Sequence, residues 1–81
     1  MRSIDAKQLG VIVGEVVRSR RLSLGLSQEE LASLAGIDRT FVSRIERGVR
    51  QPTISTLLCI GRALQAPATE LMQEIESKYH F

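Results

Sequence analysis

The sequence has few of the residues that build disulfides, metal sites or catalytic centres. It contains one cysteine, one histidine, two prolines and no tryptophan in 81 residues. The single cysteine, Cys59, excludes an internal disulfide and a cysteine-rich zinc site, and with only one histidine we expect no structural metal. There is also no glycine-rich phosphate loop and no cluster of carboxylates. We therefore expect no catalytic residues, no cofactor and no small-molecule ligand.

Long apolar runs are absent as well. None approaches the roughly 18 residues that a transmembrane helix needs, and "LGVIVG", which precedes Glu15, is too short for a signal peptide. We therefore expect a cytoplasmic protein that does not enter a membrane. The length corresponds to one domain over residues 1–81.

The charges are distributed unevenly along the chain. The net charge is +2, but residues 1–53 carry +3 and residues 54–81 carry −1. A basic first part indicates a surface that meets a polyanion.

Apolar residues recur at helical spacing, which predicts five short helices and no strand. The predicted starts are marked by Asp5, by Ser27 with Glu30 as a capping box, by Asp38, by Thr53 or Ser55, and by Pro67 in the first turn of helix 5. The apolar stripes are Leu9, Ile12, Val13, Val16 and Val17 in helix 1 and Ala68, Leu71, Met72, Ile75 and Tyr79 in helix 5. The residues predicted to face inward are Leu31, Leu34 and Ala35 in helix 2 and Ile54, Leu57, Ile60, Gly61 and Leu64 in helix 4.

The middle of the chain has the spacing of a helix-turn-helix, two helices joined by a tight turn. Counted from Gln28, positions five, nine, fifteen and eighteen are Ala32, Gly36, Val42 and Ile45. Ala32 must be small because the second helix crosses close to it, and Gly36 must adopt a positive φ. Val42 and Ile45, three residues apart, face the core. We therefore predict a helix-turn-helix over residues 28–47.

Three segments resemble one family. "VVRSRRLSLGLSQEELASLAG" is similar to helices 1 and 2 of lambdoid phage repressors, the Cro/C1 or Xre type of regulator. "DRTFVSRIERG" resembles the recognition helix of the restriction-modification controller proteins within that family, and "PTISTLLCIGRAL" resembles its fourth helix. The resemblance covers about residues 9–75 and implies an all-α, five-helix lambda-repressor-like domain. Arg20, Cys59 and Gly61 depart from the usual pattern.

The resemblance implies base contacts on the outer face of helix 3, at Arg39, Thr40, Ser43 and Arg44. An arginine can donate to O6 and N7 of guanine, and Thr40 can place its methyl on thymine. The alternative is that these arginines are solvated charges that only keep the surface soluble. Phe41 either packs in the core or contacts a thymine methyl or a sugar.

Other residues suit the DNA backbone. Free N–H groups and the helix dipole at the start of helix 2 favour a phosphate, and the resemblance implies that Gln28 binds one. Ser27 is either a phosphate contact or only a helix cap. Arg47 and Arg50 flank the turn after helix 3 and suit a phosphate or the minor-groove edge.

The resemblance also implies a largely buried ion pair between Arg21 and Glu46, which links helix 1 to helix 3. These two residues are therefore assigned to the fold and not to DNA. Cys59 is interpreted as a packing or half-exposed residue, and His80 as part of the tail.

Useful specificity usually needs two copies on a pseudo-palindrome, with recognition helices about 34 Å apart. The apolar stripe of Leu71, Met72, Ile75 and Tyr79 predicts a homodimer interface through helix 5 and the chain end. The alternative is that helix 5 only closes the monomer core. Tyr79 and Phe81 are tail anchors or interface residues.

These features predict a bacterial or phage-encoded transcription regulator that binds double-stranded DNA sequence-specifically as a dimer. It would block or recruit RNA polymerase through its position on a pseudo-palindromic operator, in the manner of a restriction-modification controller protein. The alternative, from another class, is a protein-interaction module such as an antitoxin that binds a toxin enzyme.

Overall fold

A computed structural model describes residues 3–80, in which five α-helices are joined by short connections and no strand occurs. The helices are α1 (Ala6–Ser23), α2 (Gln28–Ala35), α3 (Arg39–Glu46), α4 (Ile54–Ala63) and α5 (Ala68–Lys78). This architecture confirms the all-α, five-helix prediction. No helix in the described part is long and apolar enough to cross a membrane. Phe81, which was predicted to anchor the tail or an interface, lies outside the described residues.

The first four helices begin at side-chain caps. The N-cap residues are Asp5, Ser27, Asp38 and Thr53, and each side chain accepts at least one N–H from the first turn. Of the two candidates for α4, Thr53 is the cap, because its hydroxyl accepts the N–H of Thr56. Pro67 is the N-cap of α5, one residue before the first turn to which it was assigned.

A single apolar core lies between the helices, and α3 packs on α1 and α2 while α5 packs on α1 and α4. Two predicted core residues are exposed: Leu34 is 60% exposed and Ile54 is 79% exposed. Leu34 lies about 100° around α2 from the buried Ala35, so it turns away from α3 and α4. Ile54 is the first residue of α4, where no described element covers it.

Helix α5 closes the monomer, which corrects the predicted dimer interface. Leu71, Ile75 and Tyr79 are 0, 2 and 7% exposed, so their side chains have no surface to offer to a second chain. The Tyr79 hydroxyl also accepts the N–H of Asp5 at 2.7 Å and joins the two ends of the domain. Of the four residues predicted at the interface, Met72 alone is exposed, at 47%.

Arg20 provides a polar link between α1 and α5. Its guanidinium donates to Glu74 at 2.9 Å and to Glu70 at 2.7 Å. These hydrogen bonds, first the one to Glu74 and then the one to Glu70, raise the pKa of Arg20. An arginine at this position is therefore explained by two carboxylates on α5.

Candidate nucleic-acid interface

The turn between α2 and α3 has the geometry that the spacing predicted. Gly36 has φ 70° and ψ 32°, a left-handed conformation that glycine adopts without a steric penalty. The next amide, that of Ile37, donates to the carbonyl of Ala32 at 3.0 Å and ends α2. Ala32, Val42 and Ile45 are 4, 1 and 0% exposed, so α3 is fixed against α2 by buried apolar contacts.

The outer face of α3 presents polar and cationic side chains. Arg39, Thr40 and Arg44 are exposed, and Ser43 is half-buried. Neither arginine forms an ion pair within residues 3–80, so both guanidinium groups are available to an anionic or polar ligand. Phe41, between these two faces, is half-buried and packs against the core.

The start of α2 is an exposed helix terminus with a complete capping box. The Ser27 hydroxyl accepts the N–H of Glu30 at 3.0 Å, and the Glu30 carboxylate accepts the N–H of Ser27 at 2.8 Å. The hydrogen bond from the Ser27 N–H lowers the pKa of Glu30. Ser27 therefore has the structural role of a cap. In the described part of the chain, the N–H groups of Gln28 and Glu29 donate to no acceptor.

Arg21 and Glu46 form a buried ion pair between α1 and α3. Their side chains are 9 and 2% exposed, and the guanidinium donates to both carboxylate oxygens, at 2.7 and 2.9 Å. A third donor of Arg21 bonds the carbonyl of Leu26 at 2.7 Å, just before α2. The hydrogen bond to Glu46 raises the pKa of Arg21 above its ordinary value. The predicted fold role of this pair is therefore consistent with its burial and its bidentate geometry.

A contact that the sequence did not predict joins Gln28 to this ion pair. The side-chain amide of Gln28 donates to the Glu46 carboxylate at 3.1 Å. Nothing in the spacing of two residues 18 positions apart indicates such a bond. The proposed phosphate contact is thus attached to the buried charge pair that holds α3.

The segment that follows α3 in the chain carries two more cations. Arg47 and Arg50 are exposed and form no ion pair within the described residues. Between them, Gly48 has φ 79° and Val49 is 66% exposed. The amide of Gln51 donates to the carbonyl of Ala6 at 3.0 Å, so this segment is held against the start of α1.

Within residues 3–80, no group of three or more His, Cys, Asp or Glu side chains is placed to hold a metal ion. What the site offers is one short helix whose apolar face is buried and whose outer face carries unpaired arginines. A preceding helix presents free N–H groups at its start. This arrangement defines a helix-turn-helix DNA-binding domain.

Comparisons with known proteins agree. The profile of the helix-turn-helix family matches residues 17–71. The chain is 41% identical to the control protein C.SmaI of Serratia marcescens over 61 residues, which are 75% of this chain and 73% of that protein. The chain therefore belongs to the helix-turn-helix family of the Cro/C1 (Xre) type, a family of DNA-binding transcription regulators.

Solved structures of two restriction-modification controller proteins have the same fold. C.AhdI from Aeromonas hydrophila superposes with a TM-score of 0.74 at 40% sequence identity, over 76% of this chain and 94% of that chain. Wild-type C.Esp1396I superposes with a TM-score of 0.77 at 33% identity, over 85% of this chain and 90% of that chain. The resemblance stated from the sequence is confirmed.

Proposed function

We propose that this regulator binds a pseudo-palindromic operator as a homodimer and controls the genes of a restriction-modification system. The observation that carries the proposal is the face of α3, where Arg39 and Arg44 are exposed and unpaired on a helix fixed by buried contacts. Such a helix fits the major groove of B-DNA, where each base pair presents its own pattern of donors and acceptors.

The residues divide by the part of DNA that they suit. Arg39, Thr40, Ser43 and Arg44 lie on the face that would enter the groove, and we assign base contacts to them. The free N–H groups at the start of α2 suit a phosphate, with the hydroxyl of Ser27 and the amide of Gln28 beside them. Arg47 and Arg50 lie one and four residues beyond the end of α3, and we assign contacts with the DNA backbone to them.

The proposed control of a restriction-modification system is supported by relatives that are named as controllers of such systems. Identities of 41% to the control protein C.SmaI and 40% to the controller C.AhdI support a controller of a restriction-modification system. These relatives favour a regulator over the antitoxin-type interaction module. A regulator of this kind acts by blocking or recruiting RNA polymerase from its position on the operator.

A second copy of the chain is the proposed occupant of an apolar groove on α4 and α5. The groove has a volume of about 600 Å³, and its exposed apolar residues are Ile54, Leu58 and Met72. Exposed apolar surface of this kind favours association. No residue of the groove belongs to α2 or α3, so a dimer formed here leaves both recognition helices free for two half-sites. This groove replaces the stripe of α5 that the sequence predicted.

Selection of bound sequences from random double-stranded DNA tests the proposal. We expect a pseudo-palindrome whose half-sites are separated by about one helical turn. We also expect the affinity to fall steeply with salt, because each neutralised phosphate contributes about −0.9 to the slope of log K against log salt. Selection without any enriched sequence, or affinity independent of salt, would refute a sequence-specific regulator.

A further inference from the structure

The buried ion pair also contacts a side chain at the DNA-facing start of α2. One oxygen of Glu46 accepts from both Arg21, at 2.9 Å, and the amide of Gln28, at 3.1 Å. Within residues 3–80, the other oxygen accepts only from Arg21, at 2.7 Å. The Glu46 side chain is 2% exposed, so water does not compete for these bonds.

We propose that Glu46 is a positioning residue for DNA binding, which orients the Gln28 amide toward a backbone phosphate before DNA arrives. The inference rests on the proposed function, since it assumes that the start of α2 meets DNA. It extends the role of Glu46 beyond the fold: the residue that holds α3 against α1 also sets the geometry of a contact on α2.

The chemistry of the carboxylate fixes which way the amide points. An ionised carboxylate only accepts hydrogen bonds, so Gln28 must present its nitrogen, not its oxygen, to Glu46. That nitrogen carries two protons, and Glu46 binds one of them. The second proton remains for a phosphate oxygen, which is also purely an acceptor.

Arg21 makes this arrangement compatible with DNA. Its bidentate bond neutralises Glu46, so that a carboxylate close to the interface does not repel a phosphate. A third bond from Arg21 to the carbonyl of Leu26 fixes the backbone two residues before Gln28. Because the amide is already ordered, less side-chain entropy is lost when DNA binds.

A double-mutant cycle with Gln28→Ala and Glu46→Gln tests the proposal. The probe is mixed-sequence double-stranded DNA, because a phosphate contact does not depend on sequence. We expect each single variant to weaken binding roughly three- to tenfold, the range for one hydrogen bond. The double variant should have the same DNA affinity as whichever single variant binds DNA less tightly. If the two losses multiply instead, Glu46 acts on binding only through the fold, and the proposal is wrong.

Glu74→Gln is the matched control, because it removes one partner of the other arginine of α1, Arg20, at a site remote in sequence from α2 and α3. It should lower the melting temperature and leave DNA affinity unchanged. A Glu74→Gln variant that loses affinity as Glu46→Gln does would also contradict a specific role for Glu46.

Nuclear magnetic resonance of the wild-type chain gives a measurement that does not depend on a variant's folding. The Gln28 side-chain amide should be rigid without DNA, whereas that of Gln8, which is exposed on α1 and lies outside the α4 and α5 groove, should be mobile. Equal mobility of the two would overturn the proposal. If wild type binds DNA with the expected salt dependence but Gln28→Ala binds equally well, this inference fails alone. If wild type binds no DNA, the proposed function fails with it.

Discussion

A Cβ atom on Gly14 of α1 would lie 2.5 Å from the backbone oxygen of Ile45 on α3. It would also lie 2.6 Å from the backbone oxygen of Glu46. Both atoms belong to the last turn of the recognition helix, and backbone atoms cannot rotate away as a flexible side chain can. The absence of a side chain at position 14 therefore sets how closely α1 approaches the recognition helix.

Gly14→Ala should destabilise the domain and weaken DNA binding, because α3 must move away from α1. Alanine adds about 1 kcal/mol of helix propensity, whereas overpacking costs about 1–3 kcal/mol. Denaturant unfolding and DNA titration measure the two effects. Ser19→Ala, on an exposed position of the same helix, is the control: it should leave DNA affinity unchanged and raise stability by no more than about 0.5 kcal/mol, from helix propensity alone. A Gly14→Ala variant with unchanged affinity and higher stability would show that the helices can separate without consequence.

Glu46→Ala should cost roughly 3–5 kcal/mol of unfolding free energy, because it leaves Arg21 buried without its partner. That is a large part of the stability of a small domain, typically about 5–15 kcal/mol. Thermal and denaturant unfolding measure it. If Glu46→Ala melts like wild type and only loses DNA binding, the ion pair does not stabilise the fold.

Gln65→Gly should stabilise the domain. Gln65 has φ 57°, a left-handed conformation that costs a residue other than glycine about 1–2 kcal/mol. The connection from α4 to α5 needs this conformation, because the next amide, of Ala66, donates back to the carbonyl of Gly61 at 2.9 Å. The gain should raise the melting temperature by several degrees. Gln65→Ala is the control, since alanine meets the same penalty as glutamine; a larger gain from alanine than from glycine would refute the explanation.

Removal of an arginine on α3 should change the sequence preference of DNA binding, whereas removal of an arginine after α3 should change only the overall affinity. Arg39→Ala and Arg44→Ala should each relax the preference for particular bases, at a cost of about 1–3 kcal/mol on the selected operator. Arg50→Ala should weaken binding to all sequences about equally and reduce the salt slope by about 1. Selection from random DNA with each variant measures both. Uniform weakening by all three would contradict the assignment of base contacts.

The groove on α4 and α5 should control association. Leu58→Glu or Met72→Glu places a charge in the apolar contact and should give a 9 kDa species in sedimentation where wild type sediments as a dimer. Both side chains are exposed, at 58 and 47%, so the variants should still fold. Leu22→Glu, at an exposed apolar position on α1, is the control and should remain dimeric. A wild-type chain that sediments only at 9 kDa would refute the dimer.

Local signals in the sequence were enough to place the helices and the turn. Asp5, Ser27, Asp38 and Thr53 each bond the first turn of the helix that follows them, and such bonds depend on residues two or three positions apart. Gly36 adopts the positive φ that the helix-turn-helix spacing requires. The ion pair of Arg21 and Glu46 joins residues 25 positions apart, and it was predicted through family resemblance and not from spacing.

Helical periodicity could not tell which of two adjacent faces of a helix is covered. It placed Leu34 and Ile54 inside, where the structure exposes them, and it assigned the buried Leu71, Ile75 and Tyr79 to an interface. A helix face is buried only if another helix packs on it. Which helix packs there depends on contacts between residues far apart in the sequence.

The sequence by itself determined the class of the protein, because caps, turn glycine and the apolar spacing of a helix-turn-helix all act over a few residues. Only the tertiary structure decided what the outer surfaces can do. It brought Gln28 to Glu46, 18 positions away, and Arg20 to Glu70 and Glu74, 50 and 54 positions away. It also left Leu58 and Met72 uncovered between α4 and α5. These contacts follow from how whole helices pack, and no short segment of the chain contains that information.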